Sequence, residues 1–314
     1  MSESASSGLA LRFDLADVQP LLEALFLLFL LVCGLSLLRT IEQRRAPLRL
    51  TLGFPQRATS RTEWATGAAI GWGLAVACVL PMALARTLSV QLWTTPRAFY
   101  LLGLSLFTLA ILTLAHTLAV YGYGFHRLID ATGPVRATLI LVAAVAGVHA
   151  AMPVPYGTPP GTRILVDMLT TLLFCLCWFR THGLWLLWGL HFAWAASTTA
   201  LFGLPMAGNT SFTSVIDTRT AGAVWLTGGA YGPGAAAFSI LFLLAAIPVL
   251  VRVTDDYAWN YTHPPIIPAG YDVTVPPPAA HVAMEQAAQP VDPASLVQIL
   301  PATPQNPPAG SAPE

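Results

Sequence analysis

Lysine is absent from the 314 residues, and every basic side chain is one of fifteen arginines. Charged residues make up only 10% of the chain, against about 25% in soluble domains. Lipid is therefore the main solvent. The formal net charge of zero removes any electrostatic case for nucleic acid as a partner. Glutamate is missing from the whole interior: none occurs between Glu63 and Glu285, which bears on any chemistry that needs a carboxylate base. Cysteine is also scarce. Cys33, Cys78, Cys175 and Cys177 each sit in an apolar run, which excludes a secreted disulfide framework. Cys175 and Cys177, two apart on a helix, point to different faces and read as small buried hydrophobes. No internal repeat and no charged pathway are present, so the transporter class lacks support.

Hydrophobic residues fill 55% of the chain. Apolar runs of spanning length occur at about 21–38, 65–85, 98–120, 135–150, 163–180, 184–203 and 233–251, the fourth being the shortest. They predict an all-α, polytopic transmembrane bundle of about seven spans, with the lipid bilayer as its environment. The first run lacks a basic leader and a small-residue cleavage site, so it reads as an uncleaved span rather than a signal peptide. A short polar segment, 1–19, precedes a membrane domain over 20–252. Residues 253–314 form a tail dense in proline and alanine that is expected to be disordered. The stretch 204–232, rich in Gly, Ser and Thr, predicts a structured or re-entrant loop. With the N-terminus outside, ten arginines fall on inner segments and five on outer ones, which favours N-out and C-in.

Ionisable groups inside spans are costly and are functional candidates by default. Four matter: His116, His149, His191 and Asp167. A single such histidine can simply hydrogen-bond a neighbouring helix, but the spacing suggests more. His116 lies sixteen residues before Thr132, and His149 sixteen after Gly133. A Gly133-Pro134 turn ends one helix and starts the next. Antiparallel arms folded about it place both histidines about 24 Å from the turn, unless Tyr121-Gly122-Tyr123-Gly124 kinks the first arm. His191, eight residues into its own run, brings a third imidazole toward the same depth. Three imidazoles holding a divalent metal with an open position are one possible outcome. Asp167 stands four residues after Arg163, the spacing of a helical ion pair, and that pairing is the preferred reading. The alternative has Asp167 orienting His149. Trp188 and Trp194, three residues either side of His191, either fill the bundle or line a substrate cleft.

These residues resemble the CPBP family of CAAX-prenyl proteases and bacteriocin-processing proteins over about 20–252. The family pattern is Glu-Glu-x-x-x-Arg-Gly, then Phe-x-x-x-His, then His-x-x-x-Asn or Asp. The matching stretches here are His116-Thr117-Leu118-Ala119-Val120-Tyr121-Gly122, Val145-Ala146-Gly147-Val148-His149 and His191-Phe192-Ala193-Trp194-Ala195. Phe179-Arg180-Thr181-His182-Gly183-Leu184-Trp185, Leu52-Gly53-Phe54 and Tyr231-Gly232-Pro233 add to the likeness. The resemblance implies a multi-pass protein of a bacterial-type inner (cell) membrane, with a peptide or lipid substrate inside the bundle. It assigns catalytic positions to His149 and His191, with His116 at the place of a lost glutamate and Tyr121 at that of the arginine. Both glutamates, the arginine, the phenylalanine (Val145) and the amide (Ala195) are replaced, so a degenerate protease site with a binding or scaffold role is expected. The alternative is an active intramembrane endopeptidase using His149 and His191 with His116 or Asp167.

Overall fold

The computed structural model describes residues 16–41, 52–55, 57–153, 155, 157–212, 215–255, 257 and 284. Most of the N-terminal segment, the arginines at 44, 45 and 49, and nearly all of the tail lie outside the described residues, as do the expectations that concern them. Contacts divide the chain into Met1–Pro264 and Pro265–Glu314, and every helix of the bundle belongs to the first unit.

All seven apolar runs are helical. The helices are α1 (Gln19–Ile41), α2 (Ser60–Leu84), α3 (Pro96–Thr117), α4 (Tyr123–Thr132), α5 (Pro134–Ala151), α6 (Pro160–Thr181), α7 (Trp185–Ala196), the single turn α8 (Val224–Thr227) and α9 (Ala237–Val253). Among the described residues, five helical stretches are long and apolar enough to cross a membrane: α1, α2, the continuous stretch Pro96–Thr132, α5 and α6. The chain is thus an all-α membrane bundle, and the expected seven full spans become five plus two shorter apolar helices. α9 has 17 residues. α7 has 12 and runs on through a π turn, Ser197–Leu201. Its Leu186, Leu187, Leu190 and Ala195 are at most 1% exposed, so protein rather than lipid surrounds it and full spanning length is not required.

Local chemistry sets the helix ends. Thr95 accepts a hydrogen bond from the Ala98 amide at 3.2 Å and Pro96 follows it, which together start α3. Gly133, at φ +84°, separates α4 from Pro134 at the start of α5; the predicted hairpin is present, and a Cβ would disfavour this backbone. The Tyr-Gly-Tyr-Gly stretch does not break the first arm. It forms a π turn, Leu118–Gly122, inside a helix that continues to Thr132.

The tightest packing joins α2 to α7. A Cβ on Gly67 would sit 2.0 Å from the Leu186 carbonyl oxygen, on Gly71 2.3 Å from that of Leu190, and on Gly189 2.1 Å from that of Trp64. Glycines four apart on α2, answered by one on α7, let two backbones touch as small residues do between membrane helices. Residues 52–55 and 57–63 clasp the same end of the bundle. The Gly53 carbonyl accepts from the Leu184 amide at 2.9 Å, Pro55 O from Trp185 Nε1 at 3.0 Å, and Arg57 Nη1 donates to Thr181 O at 2.6 Å. Arg180 reaches Asp255 at 2.7 Å and Thr254 at 2.8 Å, tying the end of α6 to the residues just after α9.

At the opposite end, the described residues of the 204–232 stretch are structured. Its strand β2 (Ile216–Thr220) pairs antiparallel with β1 (Leu88–Leu92), Val90 facing Thr218. Neither strand was expected, because each is a five-residue segment between apolar runs. The turns after α8 lead into α9 and, with residues 205–207, form a cap over the bundle interior.

Candidate functional site

Beneath that cap lies a cavity of about 300 Å³. Each wall comes from a different element. α3 contributes His116 and the π turn Tyr121; α5 contributes Val145 and His149; α6 contributes Asp167, Thr171 and Phe174; α7 contributes His191 and Trp194. Pro205, Met206, Tyr231 and Pro233 roof it. The three histidines singled out by spacing therefore line one chamber, and the hairpin at Gly133 brings the first two there from opposite directions along the chain.

His116 and His191 meet edge to face, centroids 5.1 Å apart at 76°. His191 also lies 5.2 Å from Phe174, and Tyr121 5.4 Å from Phe174. His191 Nδ1 is buried with no hydrogen-bond partner among the described residues, so a polar atom of a ligand would satisfy it. His116 is exposed although it sits in a spanning helix.

His149 takes a different partner. Its Nδ1 stands 3.0 Å from Asp167 Oδ2, at contact distance but without the alignment of a full hydrogen bond. The preferred pairing of Arg163 with Asp167 is thus corrected. Arg163 is 4% exposed; its Nη2 donates to the His149 carbonyl at 2.7 Å and its guanidinium lies 5.6 Å over the Tyr231 ring. Helical i,i+4 spacing permits an ion pair but does not compel it, and here the interior offers the arginine a carbonyl in the last turn of α5, which already accepts from the Met152 amide at 3.2 Å. Burial first, then the nearby Asp167 carboxylate, pushes the Tyr231 phenol above its ordinary pKa.

Trp188 does not line the cavity. Its Nε1 donates to Ala110 O at 3.1 Å and its ring packs on Phe54, Trp64 and Trp185. Trp188 and Trp194 each lie about 60° from His191 around the helix but about 120° from one another, so only one can share the histidine's chamber. Among the described residues no group of three or more His, Cys, Asp or Glu side chains is arranged to hold a metal ion. His116 packs edge to face on His191 while His149 turns toward Asp167, so the three imidazoles pair separately within the cavity. Tyr231, Met206 and Thr198 were not anticipated. The only signal for the first was the Tyr231-Gly232-Pro233 likeness.

Compared with family models, curated proteins and solved structures, the chain gives no match.

Proposed function

We propose that this membrane bundle, CPBP-like in its motif spacing, uses the capped cavity to bind the polar group of a peptide or lipid ligand. The observation that carries the reading is one 300 Å³ chamber lined at once by His116, His149, His191 and Asp167. Its imidazoles carry ring nitrogens that can donate or accept, while Val145, Phe174, Trp194 and Met206 supply apolar wall. This combination is usual in ligand sites. The glutamates and arginine of the family pattern are absent from the first motif, and Ala195 is 0% exposed where the pattern has an amide. Both facts favour binding over glutamate-dependent proteolysis.

The 3.0 Å approach of His149 to Asp167 favours a second reading, hydrolysis. A carboxylate at Nδ1 fixes the tautomer in which Nε2 is free to take a proton from water, and His191 would steady the developing oxyanion. Turnover of a prenylated CAAX peptide in lipid, comparing the unaltered protein with His149→Ala and His191→Ala, separates the readings. Binding without cleavage, weakened by either substitution, is the expected result. Cleavage abolished by both would establish the enzyme, and binding indifferent to both would overturn the cavity reading.

A further inference from the structure

A second pocket, about 570 Å³, lies on the far side of the cap; Trp93, Asp217, Thr218, Arg219, Thr220 and Gly229 are among its lining residues. Four consecutive residues of β2 line it, so the pocket runs along an edge of that strand rather than over one face. The flanking bonds, Trp93 N–H to Val215 O at 2.8 Å and Ala221 N–H to Thr87 O at 2.8 Å, fix which edge. Both join odd-numbered residues, so in this register odd residues of β2 bond to β1 and even residues turn their amides and carbonyls away. Of the outward groups, the Thr218 amide donates to Gly203 O at 2.9 Å. The Thr218 carbonyl and the Thr220 amide have no partner among the described residues. The Thr218 hydroxyl, on a residue only 5% exposed, also lacks one.

We infer that this pocket holds an extended polypeptide segment, added as a third strand along β2. An unpaired acceptor and donor two residues apart match the donor and acceptor of one residue on an incoming parallel strand. Unpaired strand edges are normally covered or blunted, and here the edge forms a pocket wall instead. Asp217 and Arg219 give the walls both signs of charge, so the recognised feature is main chain rather than net charge, and Trp93, 54% exposed, offers an apolar platform for a side chain. Pro205 lines this pocket and the histidine cavity alike, so the two share part of a wall. This inference rests on the cavity reading and narrows its ligand to the peptide class.

The test uses the full chain in lipid nanodiscs with a fluorescent mixture of randomised, proline-free decapeptides blocked at both ends. Binding should slow hydrogen exchange at the Thr220 amide. Thr220→Pro removes only an outward N–H, a change edge strands accept, and should weaken binding about tenfold, as expected for a lost hydrogen bond. Peptides N-methylated at every residue, which keep no N–H on either edge, should fail on the unaltered protein, which keeps the test decisive even if the proline variant does not fold. Absence of binding, equal affinity of Thr220→Pro, or a change in oligomeric state with that variant in place of a change in peptide affinity would each overturn the inference. Photolabelling of the histidine cavity separates the two readings, since a cavity without ligand leaves Thr220 protection intact.

Discussion

Two faces of α2 and α5 show how one bundle divides its labour. Along α2, Gly67 and Gly71 press against the α7 backbone so closely that no side chain fits between them. Along α5 only Ala137 is buried; the helix leans on α6 and meets α4 at the hairpin, leaving the chamber into which His149 and Val145 project. Backbone contact gives rigidity and excludes chemistry. A helix held off its neighbours leaves room for imidazoles, which then need buried partners such as Arg163 and Asp167. The glycine seam holds α7, and α7 carries His191, so the rigid side positions a histidine of the cavity.

The largest expected effect comes from filling the seam. Gly67→Leu would drive a side chain into the Leu186 carbonyl and should cost about 3 kcal/mol or more, the upper range for overpacking. Gly73→Ala, with nothing within 4 Å of its Cβ, should be neutral. Thermal denaturation in detergent compares the two, and equal melting temperatures would dissolve the contrast between a tight face and an open one. Next comes Arg163→Met, which removes the bond to the His149 carbonyl and the stack on Tyr231. A loss of about 2 kcal/mol is expected, typical of a charged hydrogen bond, together with exchange broadening of the His149 ring signals. An undisturbed His149 would mean that the arginine only fills space. Smaller in stability but specific in readout is Asp167→Asn. Nitrogen-15 spectra should show His149 losing its preferred tautomer while His191 keeps its own; no change at His149 would break the dyad.

The helical runs and the Gly133 hairpin were legible because apolar length and a Gly-Pro pair act locally. The shared chamber of the histidines was legible because antiparallel arms of equal length are simple geometry. The seam at Gly67 and Gly71 was not, since a glycine in an apolar run looks the same whether it faces a helix or, like Gly73, lipid. Arg163 misled for a related reason: i,i+4 spacing describes one helix, whereas its chosen partner, the His149 carbonyl, belongs to another. The β1–β2 pair joins segments more than 120 residues apart, and nothing in either strand alone announces its mate.

The smallest effect separates the clasped end of the bundle from the cavity end by pH. His182 lies between α6 and α7, outside the spanning helices, in the left-handed region at φ +45°. Burial first, then Arg57 and His126, holds its pKa below the ordinary 6.5. The unfolded chain therefore binds a proton more readily than the folded one. The associated stability is fully present above pH 6.5 and is lost as the pH falls from there through the lowered folded value. The residue is only partly buried, so solvent screening keeps the effect small. His182→Asn tolerates the left-handed backbone and carries no titrating group. It should flatten the decline in melting temperature between pH 7 and pH 5 without altering ligand affinity at the histidine cavity. An unchanged decline would assign the acid sensitivity to other groups, and a change in affinity would mean that the two ends of α7 are coupled rather than separate.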